Sequence, residues 1–357
     1  MITCRACGAA DGELVLDLGE QPPCDLFPPA GDPGPDPVWP LRMWMCARCA
    51  LAQLVEDPGT AEEPAGVEPK ALARQAADAV ARLARAGLVR PGATVAEFGS
   101  PHGGSWLPLL RAEGMREAAE GEPADVVVDC FGLMHEPDQR PAMARRAARL
   151  APGGALLMQF HSLASIVRQG QWNALRHGHF AYYSTPSAIT LAASAGLRPG
   201  RSWTFDLYGG TVLLELGRDL DPDEATTALV AAERAAGAED IAVVSGLGRA
   251  VDEGCGRVVA RLREHAGQRV IGYGAASRAV VLLRRAGIDI DLLPEIADIS
   301  PAKHGRRMPG TRVPVVSTAA LTHPIPRAVL LFVPDLEPEV RAAFPRLDEE
   351  HCEWIVA

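Results

Sequence analysis

Residues 93–104 read ATVAEFGSPHGG, a short apolar run followed by a glycine-bearing turn. Helical sequence begins directly afterwards, at Ser105. A strand, a glycine turn and a helix form the first unit of a doubly wound α/β sheet, and the turn lets a ligand approach the backbone at the helix N-terminus. The pattern therefore predicts a Rossmann-like domain, although alone it specifies no ligand.

The flanking sequence extends this unit in both directions. Residues 68–88 have helical spacing of apolar positions, and buried strands are predicted at residues 124–129 (ADVVVD) and 155–160 (ALLMQF), with a helix over 139–150 between them. Residues 111–123 are too short for a further strand–helix–strand unit. We therefore expect a shortened sheet that lacks roughly one βαβ unit and has no strand in that segment.

Composition limits the class of protein. A chain of 357 residues with 48% hydrophobic side chains can bury two or three cores. The excess of 45 acidic over 35 basic side chains argues against nucleic acid as a partner. The sequence shows neither an apolar run long enough to span a membrane nor the layout of a signal peptide. These features predict a multidomain cytoplasmic protein without a membrane partner and leave the oligomeric state open.

Two identical C-x-x-C spacings occur near the N-terminus, at residues 4–7 and 46–49. Two such turns can fill the four positions of a tetrahedral cation, and the Pro-rich sequence between them has too few apolar groups to fold unaided. A redox pair is the alternative, but no βαβ pattern surrounds either motif. We predict a closed, structural zinc site, with the ligands Cys4, Cys7, Cys46 and Cys49.

The C-terminal region repeats the strand, glycine turn and helix pattern. Residues 269–278 read RVIGYGAASR after a long alanine-rich helical stretch, and further strands are predicted at residues 288–293, 312–316 and 328–332. This describes a second α/β domain, whose turn amides and Arg278 could face a phosphate group. The expected domains are residues 1–62 (zinc-binding), 63–220 (shortened Rossmann-like) and 221–357 (α/β).

An H-x-H pair occurs within residues 172–184 (WNALRHGHFAYYS). His177 and His179 could be packing residues, could supply a catalytic base or could bind a metal ion. Their spacing alone does not separate these three possibilities.

The order of motifs is more specific than any one of them. The cysteine knuckles, EFGSPHGG, ADVVVDCFGLMHEPD, the H-x-H segment, YGGTVLLEL and IGYGAASRA follow one another along nearly the whole chain. This order resembles the deoxysugar C-methyltransferases of antibiotic biosynthesis, which act on nucleotide-linked 4-keto sugars with S-adenosylmethionine. The resemblance implies a methyltransferase fold in the central region and a C-terminal domain that helps to hold the nucleotide diphosphate of the sugar.

The resemblance also implies roles for individual residues. The catalytic group, which moves protons beside the ketone, would be Arg176, His177, His179 and Tyr182. The group around S-adenosylmethionine would be Glu97, Gly99, Gly103, Asp129 and His135. The group that binds the nucleotide-linked sugar would be Tyr273, Gly274, Ala275, Arg278, Asp298 and Lys303.

The chain departs from the family pattern in its central region. The family's tyrosine and glutamate in the H-x-H segment are Arg176 and Gly178, and its asparagine–aspartate pair in the glycine turn is Pro101-His102. The carboxylate that should hold the ribose of the methyl donor lacks an identifiable strand. These departures predict weak binding of S-adenosylmethionine.

Three functions remain open from the sequence. The first is C-methyl transfer to a nucleotide-linked keto sugar, with a histidine as base and Arg176 beside the enolate oxygen. The second is proton transfer without a methyl donor, as in an isomerase or epimerase. The third is a non-catalytic partner subunit that keeps the scaffold.

Overall fold

A computed structural model describes residues 2–59, 68–99 and 104–357. The predicted cofactor residue Gly103 and the Pro101-His102 pair lie outside these residues. Within the described ranges, no helix combines the length and apolar character needed to cross a membrane.

The N-terminal region is a small antiparallel sheet. Its strands are β1 (Gly12–Gln21), β2 (Trp39–Cys46) and β3 (Ala52–Leu54), with β2 in the middle. The chain packs tightly where β1 starts, since a Cβ atom on Gly12 would lie 2.2 Å from the Trp44 ring. Only glycine fits there.

The central region is an α/β unit. Its elements in chain order are α1 (Lys70–Arg85), β4 (Thr94–Phe98), α2 (Leu107–Ala112), β5 (Arg116–Glu117), β6 (Ala124–Cys130), α3 (Gln139–Ala148), β7 (Leu150–His161), α4 (Leu163–Arg168), β8 (Ala181–Tyr182), α5 (Thr185–Ala193), β9 (Arg198–Phe205) and β10 (Thr211–Gly217). In the described part of the chain, six of these strands form a sheet in the order β5-β4-β6-β7-β10-β9. Strands β5, β4, β6 and β7 are parallel, and β10 is antiparallel to both its neighbours.

One sequence expectation for this sheet is wrong. The segment 111–123 does contain a strand, β5, which pairs in parallel with β4 through Thr94–Arg116 and Val95–Glu117. Both β5 residues are exposed, so the apolar run that marks a buried strand is missing. The sheet does begin at this two-residue strand, with no further strand beyond it in the described residues.

The C-terminal region follows a helical stretch. The helices are α6 (Glu224–Ala235), α7 (Ile241–Val244) and α8 (Leu247–Glu264). The α/β unit then contains β11 (Val270–Tyr273), α9 (Ser277–Ala286), β12 (Ile296–Asp298), β13 (Val315–Ser317), β14 (Ala328–Leu331), α10 (Glu337–Ala343), α11 (Pro345–Glu349) and β15 (Glu353–Val356). Its strands pair in parallel in the order β13-β12-β11-β14-β15, with interior strand residues buried on both faces.

The prediction of a strand at residues 288–293 is also wrong. There the amides of Leu292 and Leu293 both donate to the Asp289 carbonyl, which closes a turn. The Asp289 side chain accepts the amides of Ile290 and Arg312, which stabilises this turn in place of a strand. The strand of this region lies later, at β12.

The N-terminal region contacts both other regions. Strand β8, from the central region, pairs antiparallel with β3 and becomes the fourth strand of the N-terminal sheet. The Pro-rich loop after β1 lies on the C-terminal region, where the Ala30 amide donates to the Gly305 carbonyl and the Arg307 amide donates to the Pro28 carbonyl. The N-terminal region therefore holds the other two together.

Candidate functional site

Two turns of the N-terminal region bring its four predicted ligands into one cluster. The sulfur atoms of Cys4, Cys7, Cys46 and Cys49 all lie within 4.8 Å of one another. The Cys4–Cys49 distance is 3.4 Å and the Cys7–Cys46 distance is 3.6 Å. A zinc ion with Zn–S bonds of about 2.3 Å holds its sulfurs roughly 3.8 Å apart, so this set fits a structural zinc ion with a closed shell.

The turn backbones support thiolate charge in this cluster. The Cys7 amide points to the Cys4 sulfur at 3.5 Å and the Arg48 amide points to the Cys46 sulfur at 3.4 Å. Hydrogen bonds to sulfur favour the deprotonated form that binds a metal ion.

The H-x-H segment is held against this N-terminal sheet. Tyr182 pairs with Ala52 across β3 and β8, and the Leu54 amide donates to the Phe180 carbonyl at 3.3 Å. The zinc-binding region therefore fixes the backbone that carries the candidate catalytic residues.

Arg176, His179 and Tyr182 lie in direct contact. Arg176 Nε donates to His179 Nε2 at 2.7 Å, and the Tyr182 hydroxyl accepts the Arg176 amide at 3.0 Å. The imidazole rings of His135 and His179 meet edge to face at 4.5 Å. Because a guanidinium always donates, His179 Nε2 is an unprotonated acceptor in this arrangement. The cluster thus presents a basic imidazole nitrogen beside a fixed cation.

Burial sets the state of the phenol in this cluster. Tyr182 is buried, and this raises its pKa above the ordinary value, with the neighbouring Arg176 acting in the opposite direction. The phenol therefore stays neutral near pH 7 and can act as a hydrogen-bond donor.

His177 lies apart from this cluster. Its Nε2 is 3.3 Å from the Pro40 carbonyl of β2, and Nδ1 is buried without a hydrogen-bond partner among the described residues. Burial lowers the pKa of His177, so the ring is neutral at pH 7. The two histidines of the motif therefore face different regions, and His177 contacts the N-terminal sheet.

A second polar group lies around Arg278. Arg278 of α9 approaches His161 Nδ1 to 3.4 Å and the Tyr208 ring centroid to 5.9 Å. Burial lowers the pKa of Arg278 most, and the charge of Arg176 lowers it further. Sequence reasoning identified Arg278 but missed His161 and Tyr208. Tyr208 has φ of 56°, a backbone conformation unusual for a tyrosine, and no sequence pattern predicted it.

The carboxylates predicted near the methyl donor are both engaged with protein groups. Glu97 accepts the Ser105 hydroxyl and the Trp106 amide, each at 2.6 Å. Asp129 is fully buried, pairs with Arg146 at 2.5 Å and also accepts the Gly132 amide. Glu97 therefore joins β4 to the start of α2, and Asp129 fixes the loop after β6.

The loops after β4 and β6 also approach each other closely. A Cβ atom on Gly132 would lie 2.9 Å from the Gly99 carbonyl oxygen, so a larger residue could not occupy this position. His135 follows within the same loop, and its Nδ1 lies 2.9 Å from the Gly178 carbonyl. The edge of the sheet is therefore joined directly to the H-x-H segment.

The turn that follows β5 carries a carboxylate that sequence reasoning missed. Glu120 lies three residues after Glu117, the last residue of β5, in a turn where the Glu122 amide donates to the Ala119 carbonyl at 3.0 Å. Glu120 is exposed and follows the carboxyl end of β5, where a ribose-binding acidic residue lies in dinucleotide-binding sheets. Its distance of 23 positions from Glu97 was a usable signal in the sequence.

The C-terminal glycine turn is closed by side chains. Asp298 accepts the Ala275 amide at 2.7 Å, and Lys303 Nζ donates to the Ala275 carbonyl at 2.7 Å. Asp25 of the N-terminal loop accepts the Ser277 hydroxyl at 2.5 Å, at the start of α9. A carboxylate of the protein thus lies where an anionic ligand was expected.

Two other predicted residues of this turn also have structural contacts. The ring of Tyr273 is buried edge to face against Phe344 at 6.0 Å. Gly274 has φ of 93°, a conformation that favours glycine. Of the six residues predicted to bind substrate, Arg278 lines the cavity that is described below.

Comparison with known proteins identifies a matching family model at each end of the chain. Residues 206–357 match the family described as "C-methyltransferase C-terminal domain", and residues 4–62 match the family described as "Putative zinc binding domain". The C-methyltransferase NovU of Streptomyces niveus is 26% identical over 397 residues, covering 94% of this chain and 90% of that protein. The chain is therefore similar to this C-methyltransferase along nearly its whole length.

Solved methyltransferase structures have lower sequence identity to this chain than NovU has. Magnesium protoporphyrin IX methyltransferase from Synechocystis PCC 6803 with bound SAH has a TM-score of 0.31 and 15% identity, covering 42% of this chain and 85% of that chain. N-methyltransferase NodS from Bradyrhizobium japonicum WM9 has a TM-score of 0.31 and 16% identity, covering 42% of this chain and 98% of that chain.

The alignment with the C-methyltransferase NovU extends over 397 positions, more than the 357 residues present here. That relative therefore contains segments that this chain lacks.

A cavity of about 340 Å³ is lined by side chains that include Arg278, Arg257, Arg261 and Trp354. The Arg261 guanidinium is paired with Glu353. Basic and aromatic side chains of this kind suit an anionic ligand that carries a ring.

Proposed function

We propose that this protein transfers a methyl group from S-adenosylmethionine to the carbon next to the ketone of a nucleotide-linked sugar. The observation that carries the proposal is the contact of His179 Nε2 with Arg176 in a chain whose ends match a zinc-binding domain and a C-methyltransferase C-terminal domain. Base and cation are the two groups needed to form an enolate.

In this proposal His179 is the base. Its Nε2 lone pair accepts the proton from the carbon beside the ketone, and the electrons of the broken C–H bond move to the ketone oxygen. In the structure Arg176 Nε lies 2.7 Å from that nitrogen. When substrate binds, the guanidinium donates to the ketone oxygen in place of the imidazole and stabilises the negative charge on that oxygen. The neutral Tyr182 hydroxyl, held by the Arg176 amide, keeps this backbone in position.

The methyl donor fits the carboxyl edge of β4 and β6 in this proposal. Gly99 and Gly132 provide close backbone approach there, and Glu120 would hold the ribose hydroxyls. S-adenosylmethionine, when bound, supplies an electrophilic methyl group. The expectation of weak binding depended partly on a missing strand, and β5 bears on that part alone. The Pro101-His102 departure, its other basis, lies outside the described residues.

The nucleotide portion of the substrate suits the cavity beside Arg278. Arg257, which is exposed, and Trp354 both line this cavity, where they would meet a phosphate group and a base. This differs from the expectation that the glycine turn holds the phosphates, because the Ala275 amide is already bound by Asp298.

A second candidate is proton transfer without a methyl donor. It is supported by the engagement of Glu97 and Asp129 with protein groups and by the shortness of β5. The cluster of Arg176 and His179 would serve an isomerase or epimerase equally well.

One experiment separates these candidates. Thymidine-diphosphate-linked 4-keto-6-deoxyglucose is incubated with the protein in deuterated buffer, with and without S-adenosylmethionine. Methyl transfer predicts a product heavier by one methyl group, and loss of both methylation and deuterium exchange in His179→Ala. Deuterium exchange without methylation would favour the second candidate, and neither reaction would favour a non-catalytic partner subunit.

A further inference from the structure

The backbone of Gly178, between the two histidines of the H-x-H motif, is held from two sides. Its amide donates to Asp57 Oδ2 at 2.5 Å, and its carbonyl oxygen lies 2.9 Å from His135 Nδ1. A carbonyl oxygen can only accept, so His135 Nδ1 carries the proton in this contact. Gly178 has φ of 80°, a conformation that favours glycine. The N-terminal region and the loop after β6 therefore meet at this one residue.

Asp57 is fixed by its own turn as well as by Gly178. It lies three residues after the end of β3, and its Oδ1 accepts the Gly59 amide at 2.8 Å. The second oxygen is left to accept the Gly178 amide. Hydrogen bonds from amides to a carboxylate are stronger than those between neutral groups. Asp57 thus joins the N-terminal sheet to a segment 121 positions further along the chain.

Arg5 makes a second connection, from within the first cysteine turn. A guanidinium nitrogen donates to the Pro137 carbonyl at 2.6 Å, and the guanidinium lies 5.0 Å from the centroid of the Phe180 ring. Pro137 follows His135 by two positions, and Phe180 directly follows His179. Arg5 therefore contacts both of the segments that carry these imidazoles.

These contacts fix two imidazole rings relative to each other. The rings of His135 and His179 meet edge to face with their centroids 4.5 Å apart, and His179 Nε2 accepts Arg176 Nε at 2.7 Å. A misplacement of about 1 Å can slow a reaction roughly a hundredfold, even when its cause lies far from the reacting atoms. Residues that set this arrangement should therefore act on turnover rather than on substrate affinity.

We propose that Asp57 and Arg5 are positioning residues, which hold His135 and His179 in the arrangement in which His179 acts as the base. Neither side chain touches the reacting atoms. Asp57 acts through the backbone of the H-x-H segment, and Arg5 acts through the residues next to the two imidazoles. The inference rests on the proposed function, because it takes His179 as the base. It gives the N-terminal region a part in the chemical step.

Steady-state kinetics with thymidine-diphosphate-linked 4-keto-6-deoxyglucose tests the inference, with the reaction followed as methylated product or as deuterium exchange. In Asp57→Ala and in Arg5→Met we expect kcat to fall about tenfold to a hundredfold, with KM within about twofold of the wild-type value. Asp57→Asn keeps an acceptor for the Gly178 amide, so its kcat should stay within about threefold of the wild-type value.

The matched control is Glu56→Gln. It changes the exposed carboxylate next to Asp57, which pairs with Arg42, and should retain the wild-type kcat. Zinc content and thermal unfolding verify the fold of each variant. Because Arg5 adjoins two zinc ligands, Asp57→Ala decides the matter if Arg5→Met loses zinc.

Two kinds of failure are distinguishable. An unchanged kcat in folded Asp57→Ala, or a loss that falls on KM and leaves kcat intact, overturns this inference alone. A wild type that neither methylates the sugar nor exchanges deuterium overturns the proposed function and this inference with it.

Discussion

Asp36 and Arg307 form a two-point ion pair that ties the N-terminal loop to the C-terminal region. The two N–O distances are 2.6 and 2.7 Å, and the Gly310 amide donates to the same carboxylate at 2.6 Å. Both side chains are almost fully buried. Since the same N-terminal region also carries β8 on its sheet, this contact helps to fix the C-terminal region relative to the H-x-H segment.

Removing this ion pair should destabilise the protein. Asp36→Asn leaves the Arg307 charge buried without compensation, which costs about 3 kcal/mol in the free energy of unfolding. Denaturant titration measures the change. The control Glu56→Gln removes the exposed pair with Arg42 and should cost about 0.5 kcal/mol or less. Equal effects of the two substitutions would contradict the role assigned to Asp36.

The same contact predicts an acid dependence of stability. Burial alone would raise the pKa of Asp36, but the hydrogen bonds from Arg307 and Gly310 outweigh it and hold the pKa below its ordinary value. The contribution to stability is therefore complete above the ordinary aspartate pKa of about 4 and is lost as the pH falls through the lower folded-state pKa. Unfolding curves of wild type and Asp36→Asn should converge as the pH is lowered through this range. Parallel curves would contradict the assignment.

Zinc removal should disturb the candidate catalytic segment as well as the N-terminal region. Cys46→Ser breaks the cluster next to β3, and β3 holds β8 with Tyr182. We expect about one zinc ion fewer per chain and faster hydrogen exchange of the β8 amides. Cys255→Ser, a cysteine outside the cluster, should change neither quantity. Normal zinc content in Cys46→Ser, or unchanged exchange of β8, would show that the coupling is absent.

Lys303 should act on stability rather than on ligand affinity. Its Nζ is buried, donates to the Ala275 carbonyl and lies 4.6 Å from the Phe27 ring centroid. Lys303→Met should lower the free energy of unfolding by about 1–3 kcal/mol because the buried carbonyl loses its partner. The affinity for thymidine diphosphate should change by less than about twofold. A large loss of affinity in a stable variant would restore the sequence-based prediction.

The sequence correctly predicted the features that depend on local patterns, such as the cysteine turns and the buried strands. Identical C-x-x-C spacings bring cysteines together because a turn fixes each pair, and continuous apolar runs such as Val126–Val128 identify strands buried on both faces. The glycine turn at residue 274 was visible for the same reason. Strand β5 was not, because its two exposed charged residues have no apolar pattern and are stabilised by pairing with β4.

The candidate site was predicted only in part, since its contacts cross between regions. Nothing local shows that His177 contacts Pro40 while His179 contacts Arg176. Nor does sequence spacing bring His161 next to Arg278, 117 positions away. A sequence motif suggested Asp298 as a ligand, and in the structure its carboxylate accepts the Ala275 amide. Such roles depend on tertiary contacts that a linear pattern does not contain.

The most direct test of the account is calorimetric titration of the zinc-loaded protein with S-adenosylhomocysteine. We predict one site with a dissociation constant of about 10 μM or tighter, weakened roughly tenfold to a hundredfold in Glu120→Gln by loss of a charge-assisted contact to ribose. Glu113→Gln, which changes an exposed glutamate at the end of α2, should bind as the wild type does. Absence of binding by folded, zinc-loaded protein would contradict methyl transfer as the function. Equal affinity of Glu120→Gln and wild type would contradict the placement of the donor beside β5.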